Sequence, residues 1–195
     1  MLRPASVVVT VAPAIEPVLP GDAQTWARAI DPAFADARLW EDLIADARAR
    51  VEAYTGRALI TQTIVARYDR FPCAGAPLAL PRPPLQSVTW VKYIDGDGIE
   101  QTWGAGEYSV DIHSTPARLT PAYGYGWPAP RAVPNAVSLQ AVVGFGATQE
   151  SVPASYRQAL QAVILALFEE RGTGGSAALD SALDLLWSER VALFV

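Results

Sequence analysis

A single cysteine, Cys73, and a single histidine, His113, set the first limits on what this sequence can do. One cysteine cannot close an intrachain disulfide and cannot supply a thiolate metal cluster. One histidine rules out a multi-histidine metal site within one chain, and any Ser/His/Asp triad would have to use it. Lysine is as scarce: Lys92 is the only one, so arginine carries nearly all the positive charge. Acids outnumber bases by 20 to 15, and the net charge of −5 argues against a strongly basic DNA-binding protein. Long apolar runs are missing too. The stretch from Ala162 to Phe168 is far below the roughly 20 residues that span a bilayer. The apolar opening is broken by Pro4, Pro13, Pro17 and Pro20, and its run from Ser6 to Val11 is too short and β-branched for a secretory signal. These absences predict a soluble intracellular protein with no membrane contact, no metal and no cofactor.

What is present is a core. Half of the residues are hydrophobic and under a fifth are charged. From Asp36 onward, Trp40, Leu43, Ile44, Ala47, Val51 and Tyr54 follow the i, i+3, i+4, i+7 spacing of one helical face. Asp42, Asp46, Arg48, Arg50 and Glu52 fall mostly on the other face. Gly56 suits the left-handed conformation that closes a helix. Val51, Tyr54 and Gly56 are accordingly assigned structural roles. A shorter helix is expected over 22–30, with Asp22 as its N-cap. Near the end, Tyr156, Leu160, Val163, Ile164, Leu167 and Phe168 form an apolar stripe, starting after an N-cap at Ser151 or Val152 and ending at the Gly172–Ser176 hinge. Leu179, Leu183, Leu186 and Trp187 form a last amphipathic segment, and the chain ends in the apolar Leu193, Phe194 and Val195.

Between the helices the pattern is β. Strands are expected at Ile60–Tyr68, Leu78–Leu80, Ser87–Ile94, Ile99–Trp103, Tyr108–Ile112, Arg118–Pro121 and Ala136–Val143. Asp95-Gly96-Asp97-Gly98 reads as a hairpin with a primed turn. Tyr123 to Pro134 is a Pro- and Gly-rich loop with three aromatics. The fold class is therefore α+β: a small helical bundle, with helices near 22–30, 36–55, 152–171 and 179–190, carrying a β-rich insertion. The expected organisation is an extended N-terminal arm at 1–20, a helical core from 21–58 and 148–195, and the insertion at 59–147.

Motifs for chemistry are few. His113 lies between Asp111 and Ser114, but neighbours on a strand point to opposite faces, and no G-x-S-x-G elbow is present. The Asp95 loop has Gly106 where a calcium loop requires glutamate. The glycines of 123–127 and 144–146 lack the spacing of a phosphate cradle. No catalytic, metal-binding or cofactor-binding residue is assigned. Two alternatives stand beside a structural role: a small hydrolase using His113, and a β-rich carbohydrate- or peptide-binding module using Trp103, Tyr123, Tyr125 and Trp127.

Three stretches carry a resemblance: Val51 to Thr63 (VEAYTGRALITQT), Pro84 to Gln101 (PLQSVTWVKYIDGDGIEQ) and Val152 to Arg171 (VPASYRQALQAVILALFEER). Together with YGYGWP and VPNAV, they resemble the head–tail connector, or adaptor, proteins of tailed phages, prophages and gene transfer agents. The resemblance covers about residues 17–190. It implies a non-enzymatic homo-oligomeric ring, usually dodecameric, made in the host cytoplasm and placed at the head–tail interface of the particle. There it would join the portal protein to the neck, stopper or tail proteins, and DNA would pass through without sequence-specific binding. It also implies that Leu179–Val195 reaches the portal, which singles out Leu179, Leu183, Leu186, Trp187, Val191, Leu193, Phe194 and Val195 as interface residues. Removing this segment is expected to leave a folded protein that no longer joins the portal. The proline-broken arm at 1–20 departs from the family's usual pattern.

Overall fold

The computed structural model describes residues 2–28, 36–73, 75–169 and 177–191. Within them the chain forms two units, a helical one from Pro13–Ile60 and Phe145–Val191, and a β unit built mainly from Thr61–Gly144 with the residues before Pro13. The fold is α+β, with four helices and two antiparallel sheets among the described residues.

The helical unit is organised by α2 (Ala37–Thr55) and α3 (Ala154–Glu169), with α1 (Pro20–Trp26) and α4 (Ala177–Asp184) beside them. The Asp36 carboxylate accepts from the Arg38 N–H at 3.0 Å and so caps α2. At the other end Gly56 takes φ 70°, and its N–H donates to the Glu52 carbonyl. Trp40, Ile44, Ala47 and Val51 of α2 join Tyr156, Leu160, Val163 and Ile164 of α3 in one buried cluster. Trp40 stacks on Phe168 at 4.8 Å and Phe145 tilts against Tyr156 at 5.3 Å. Each large apolar side chain so buried contributes about 1.5–3 kcal/mol. The chain leaves this unit at Ile60 and returns at Phe145, where Ile60 and Gly146 form a parallel bridge and the Phe145 N–H donates to the Leu59 carbonyl.

Several boundaries differ from the sequence reading. Helix α1 begins at Pro20 with Leu19 as N-cap, so Asp22 sits in the first turn, where a negative charge suits the helix dipole. It ends at Trp26 rather than near Ile30, which lies outside the described residues. Helix α3 starts at Ala154, directly after Pro153, so its N-cap is neither Ser151 nor Val152. Ser151 instead closes a 3-10 turn, Gln149–Ser151, with its hydroxyl 3.0 Å from that of Thr148. The segment expected as one helix over 179–190 is α4 followed by a separate 3-10 turn at Trp187–Glu189. The Gly172–Ser176 hinge lies outside the described residues.

The β unit holds eight strands: β1 (Ser6–Val11), β2 (Gln62–Tyr68), β3 (Leu78–Ala79), β4 (Leu85–Ile94), β5 (Glu100–Trp103), β6 (Tyr108–Asp111), β7 (Arg118–Pro121) and β8 (Val137–Val143). Five of them form one sheet in the order β1-β2-β8-β4-β5, and three form another in the order β3-β7-β6. Strand β8 is central and buries Val137, Leu139, Ala141 and Val143, alternate residues on one face, as period 2 requires. Strand β4 does not keep the simple alternation of its sequence. Irregularities at Leu85/Ser87 and Val88/Trp90 shift its register, and Val91 is the residue it buries completely. The Tyr68 hydroxyl of β2 donates to the Ala79 carbonyl of β3 at 2.9 Å, which ties the two sheets together; burial pushes its phenol pKa up. The Asp-Gly hairpin also differs in detail. Asp95 N–H donates to Ile99 and Gly98 N–H to Asp95, with Gly98 at φ 87°, which gives a three-residue loop with a left-handed glycine in place of a primed two-residue turn.

Candidate functional site

In the helical unit, the C-terminal segment returns to the end of α2. Its attachment is a chain of polar contacts. The Val191 N–H donates to the Thr55 carbonyl at 2.9 Å. Arg57 Nε donates to the Glu189 carbonyl at 2.9 Å, and the Tyr156 hydroxyl donates to the Glu189 carboxylate at 3.2 Å. The Tyr54 hydroxyl donates to Asp184 Oδ1 at 2.6 Å; this bond, first among its causes, raises the phenol pKa. The Arg190 guanidinium lies over both the Tyr54 ring, at 4.8 Å, and the Trp187 ring, at 5.0 Å.

This geometry divides the expected interface residues. Leu186 is fully buried, and Leu179 and Val191 are 8% exposed. Leu183 packs partly buried against the same core. Trp187, in contrast, is 66% exposed, and Leu185 beside it is 58% exposed. Leu193, Phe194 and Val195 lie outside the described residues. Among the described residues the outward feature of this segment is therefore Trp187, held by Arg190, which also lies over Tyr54, together with exposed Leu185 two positions before it. A Trp and an Arg fixed on one surface are the residue types that dominate binding at protein interfaces. Leu185 and Arg190 were not singled out by sequence. The end of the helix explains the miss: α4 stops at Asp184 and the chain enters a 3-10 turn at Trp187, where three residues per turn change the phase, so Leu186 keeps to the buried face while Trp187 points out.

Val51 is fully buried, Gly56 closes α2 in the left-handed conformation, and the Tyr54 hydroxyl bonds to Asp184. Glu52 does not lie on the solvent face. It is 4% exposed, its Oε1 accepts from the Leu59 N–H at 2.9 Å, and Arg48 approaches Oε2 at 3.5 Å. Arg48 also forms a two-pronged pair with Glu16, at 2.7 and 3.2 Å. A buried carboxylate needs such partners, and here it fixes the turn that leads out of α2.

The alternative sites are taken apart in the same way. Ser114 donates its hydroxyl to Asp111 Oδ2 at 2.6 Å, and His113 contributes its backbone N–H to Asp111. Arg118 completes the cluster at 2.7 Å. Ser114, then Arg118, hold the Asp111 carboxyl well below the usual range. In a triad the serine bonds to histidine and the histidine ring to aspartate; this cluster instead pins a loop. Of the aromatic set, Trp103 is 4% exposed, and Trp127 stacks on Phe71 at 5.0 Å and tilts against Trp103 at 5.4 Å. Their faces belong to the β unit's own packing, and Tyr123 and Tyr125 alone of the four are exposed. Among the described residues no group of three or more His, Cys, Asp or Glu side chains is placed to hold a metal ion, and no helix is long and apolar enough to cross a membrane.

No family model and no curated protein matches the chain. Solved structures do. A chain of a structure described as the virion of a native gene transfer agent particle is 22% identical, with TM-score 0.74 over 97% of both chains. One from the neck of an empty gene transfer agent particle, computed with C6 symmetry, is 20% identical, with TM-score 0.76 over 97% of both. A third, from the neck of a native particle computed with C12 symmetry, is 23% identical, with TM-score 0.62 over 100% of this chain and 97% of the other. At these identities what is shared is the fold, along nearly the whole of each chain.

Proposed function

We propose that this chain is a structural subunit of the neck of a phage-like particle, a head–tail adaptor that closes into a ring between the portal and the tail and leaves a passage for DNA. The observation that carries the reading is the fold likeness, over 97% of both chains, to chains of gene transfer agent particles and their necks. The C6 and C12 symmetries of those neck structures support a ring, which requires heterologous contacts that close by rotation. The net charge of −5 suits a conduit, since strong positive charge would bind phosphates and slow their passage.

The Trp187–Leu185 surface is the portal-facing contact in this reading. Because Leu179, Leu186 and Val191 belong to the core of the helical unit, removal of the whole segment would unfold that unit and is a poor test. The double substitution Leu185→Asp with Trp187→Ala keeps the core intact. Its expected result is a folded chain that no longer co-purifies with the portal protein from particle-producing cells. Undiminished co-purification would remove the portal contact from this surface.

A further inference from the structure

The five-stranded sheet ends in two open edges. Among the described residues β1 is hydrogen-bonded to β2 alone and β5 to β4 alone. An exposed edge is usually protected by charge, and β1 has none: Ser6–Val11 reads SVVVTV. Val8 and Val9, which point to opposite faces, are 46% and 41% exposed, and Val11 is 58% exposed. The outermost strand is thus apolar, uncovered on both faces and open along its edge, as a strand is when its neighbour is missing. At the other end of the sheet Glu100, Gln101 and Thr102 of β5 are exposed, and Ile99 just before them is 59% exposed.

We propose that β1 of one copy adds to the β5 edge of a second copy, so that the sheet continues from subunit to subunit. The topology fits a ring. All neighbours in the sheet are antiparallel and there are five strands, so β1 and β5 run in the same direction. Rotation about an axis along the strands then brings β5 of one copy against β1 of the next as a parallel pair, and the operation repeats. A β1–β1 pair would stop at two copies. Six residues span only about 20 Å, and one strand pair of that length covers only a small part of a standard interface of ~1,600 Å². The strand pair therefore sets the register between copies that other ring contacts hold together. This gives the N-terminal arm a role, and it rests on the ring reading above.

The test uses full-length chains in assembled particles, with exposed Cys73 changed to Ser. Cysteines are placed at Val8 or Val9 together with Gln101 or Thr102, and purified particles are treated with a short bis-maleimide. The expected result is a ladder on denaturing gels that runs past the dimer for one of the double-cysteine chains and is absent for single-cysteine chains. Dimers formed by a β1 cysteine alone, cross-links to a different protein, or no cross-link from any pair would overturn the proposal. Absence of the chain from purified particles would overturn the neck reading itself, a different result from presence without a ladder. Val8→Lys with Val9→Lys is the second variant: the free chain keeps its circular dichroism and melting, but it is lost from particles. Normal incorporation of that variant contradicts the pairing.

Discussion

The two units use charge in opposite ways. The sequence of the helical unit holds 14 acidic and 8 basic residues, and that of the β unit 6 and 7. In the helical unit part of that charge is built into the frame. Glu52 is buried and holds Arg48 and the Leu59 N–H, Arg48 also pairs with Glu16, and Glu189 receives Arg57 and Tyr156. In the β unit three acids hold loops from the surface. Asp95 accepts from the Asp97 and Ile99 N–H groups, Asp111 from His113 and Ser114, and Asp69 from the Asn135 N–H at 2.9 Å. Buried charge with fixed partners is costly to disturb, whereas exposed carboxylates contribute little. The lesson is that charge count says little about stability without location, and that mutation should separate the units sharply.

The largest effect is expected at Glu52. Glu52→Ala leaves Arg48 without one partner and the buried Leu59 N–H without an acceptor, and should cost about 3 kcal/mol. Glu52→Gln keeps the acceptor and should cost about half as much. Urea unfolding checks both, and a loss for the alanine variant as small as that of an ordinary surface change would break the contrast. Leu139→Ala, at the centre of the large sheet, is expected to cost ~2–4 kcal/mol by cavity formation, a packing loss with no charge involved. Tyr68→Phe removes the bond to the Ala79 carbonyl and should cost about 1–2 kcal/mol, read as a lower melting temperature. The smallest effect belongs to Asp111. Its folded pKa is lowered, first by Ser114 and then by Arg118, so its contribution is complete above the ordinary carboxylate range near pH 4 and is lost as pH falls through the lowered value. Asp111→Asn should lower stability slightly at neutral pH, where the contribution is complete, and make no difference once pH has fallen below the lowered value, so the acid limb flattens; a large loss at pH 7 would show that a surface acid of the β unit is as structural as Glu52.

Most of the element map was legible because local signals agreed. Trp40, Ile44, Ala47 and Val51 repeat with helical spacing, Gly56 sits where a left-handed stop is required, and prolines and glycines separate the strands cleanly. What was not legible depends on partners far apart in sequence. Nothing local pairs β1 with β2 across more than 50 residues, as in Val8↔Val65, or divides the strands into two sheets. Glu52 reads as a solvent residue because the Leu59 N–H it accepts from reaches it only after the chain has turned past Gly56. The Tyr54–Arg190–Trp187 stack joins residues more than 130 positions apart, and a helical period extended through Trp187 misses the 3-10 turn that exposes it.

The central claim, a ring subunit of a particle neck, is most directly tested by electron cryomicroscopy of the neck in purified particles. The account predicts a closed ring of this chain between portal and tail, with the five-stranded sheets running edge to edge from one copy to the next. Particles whose neck is complete without any copy of the chain would contradict it.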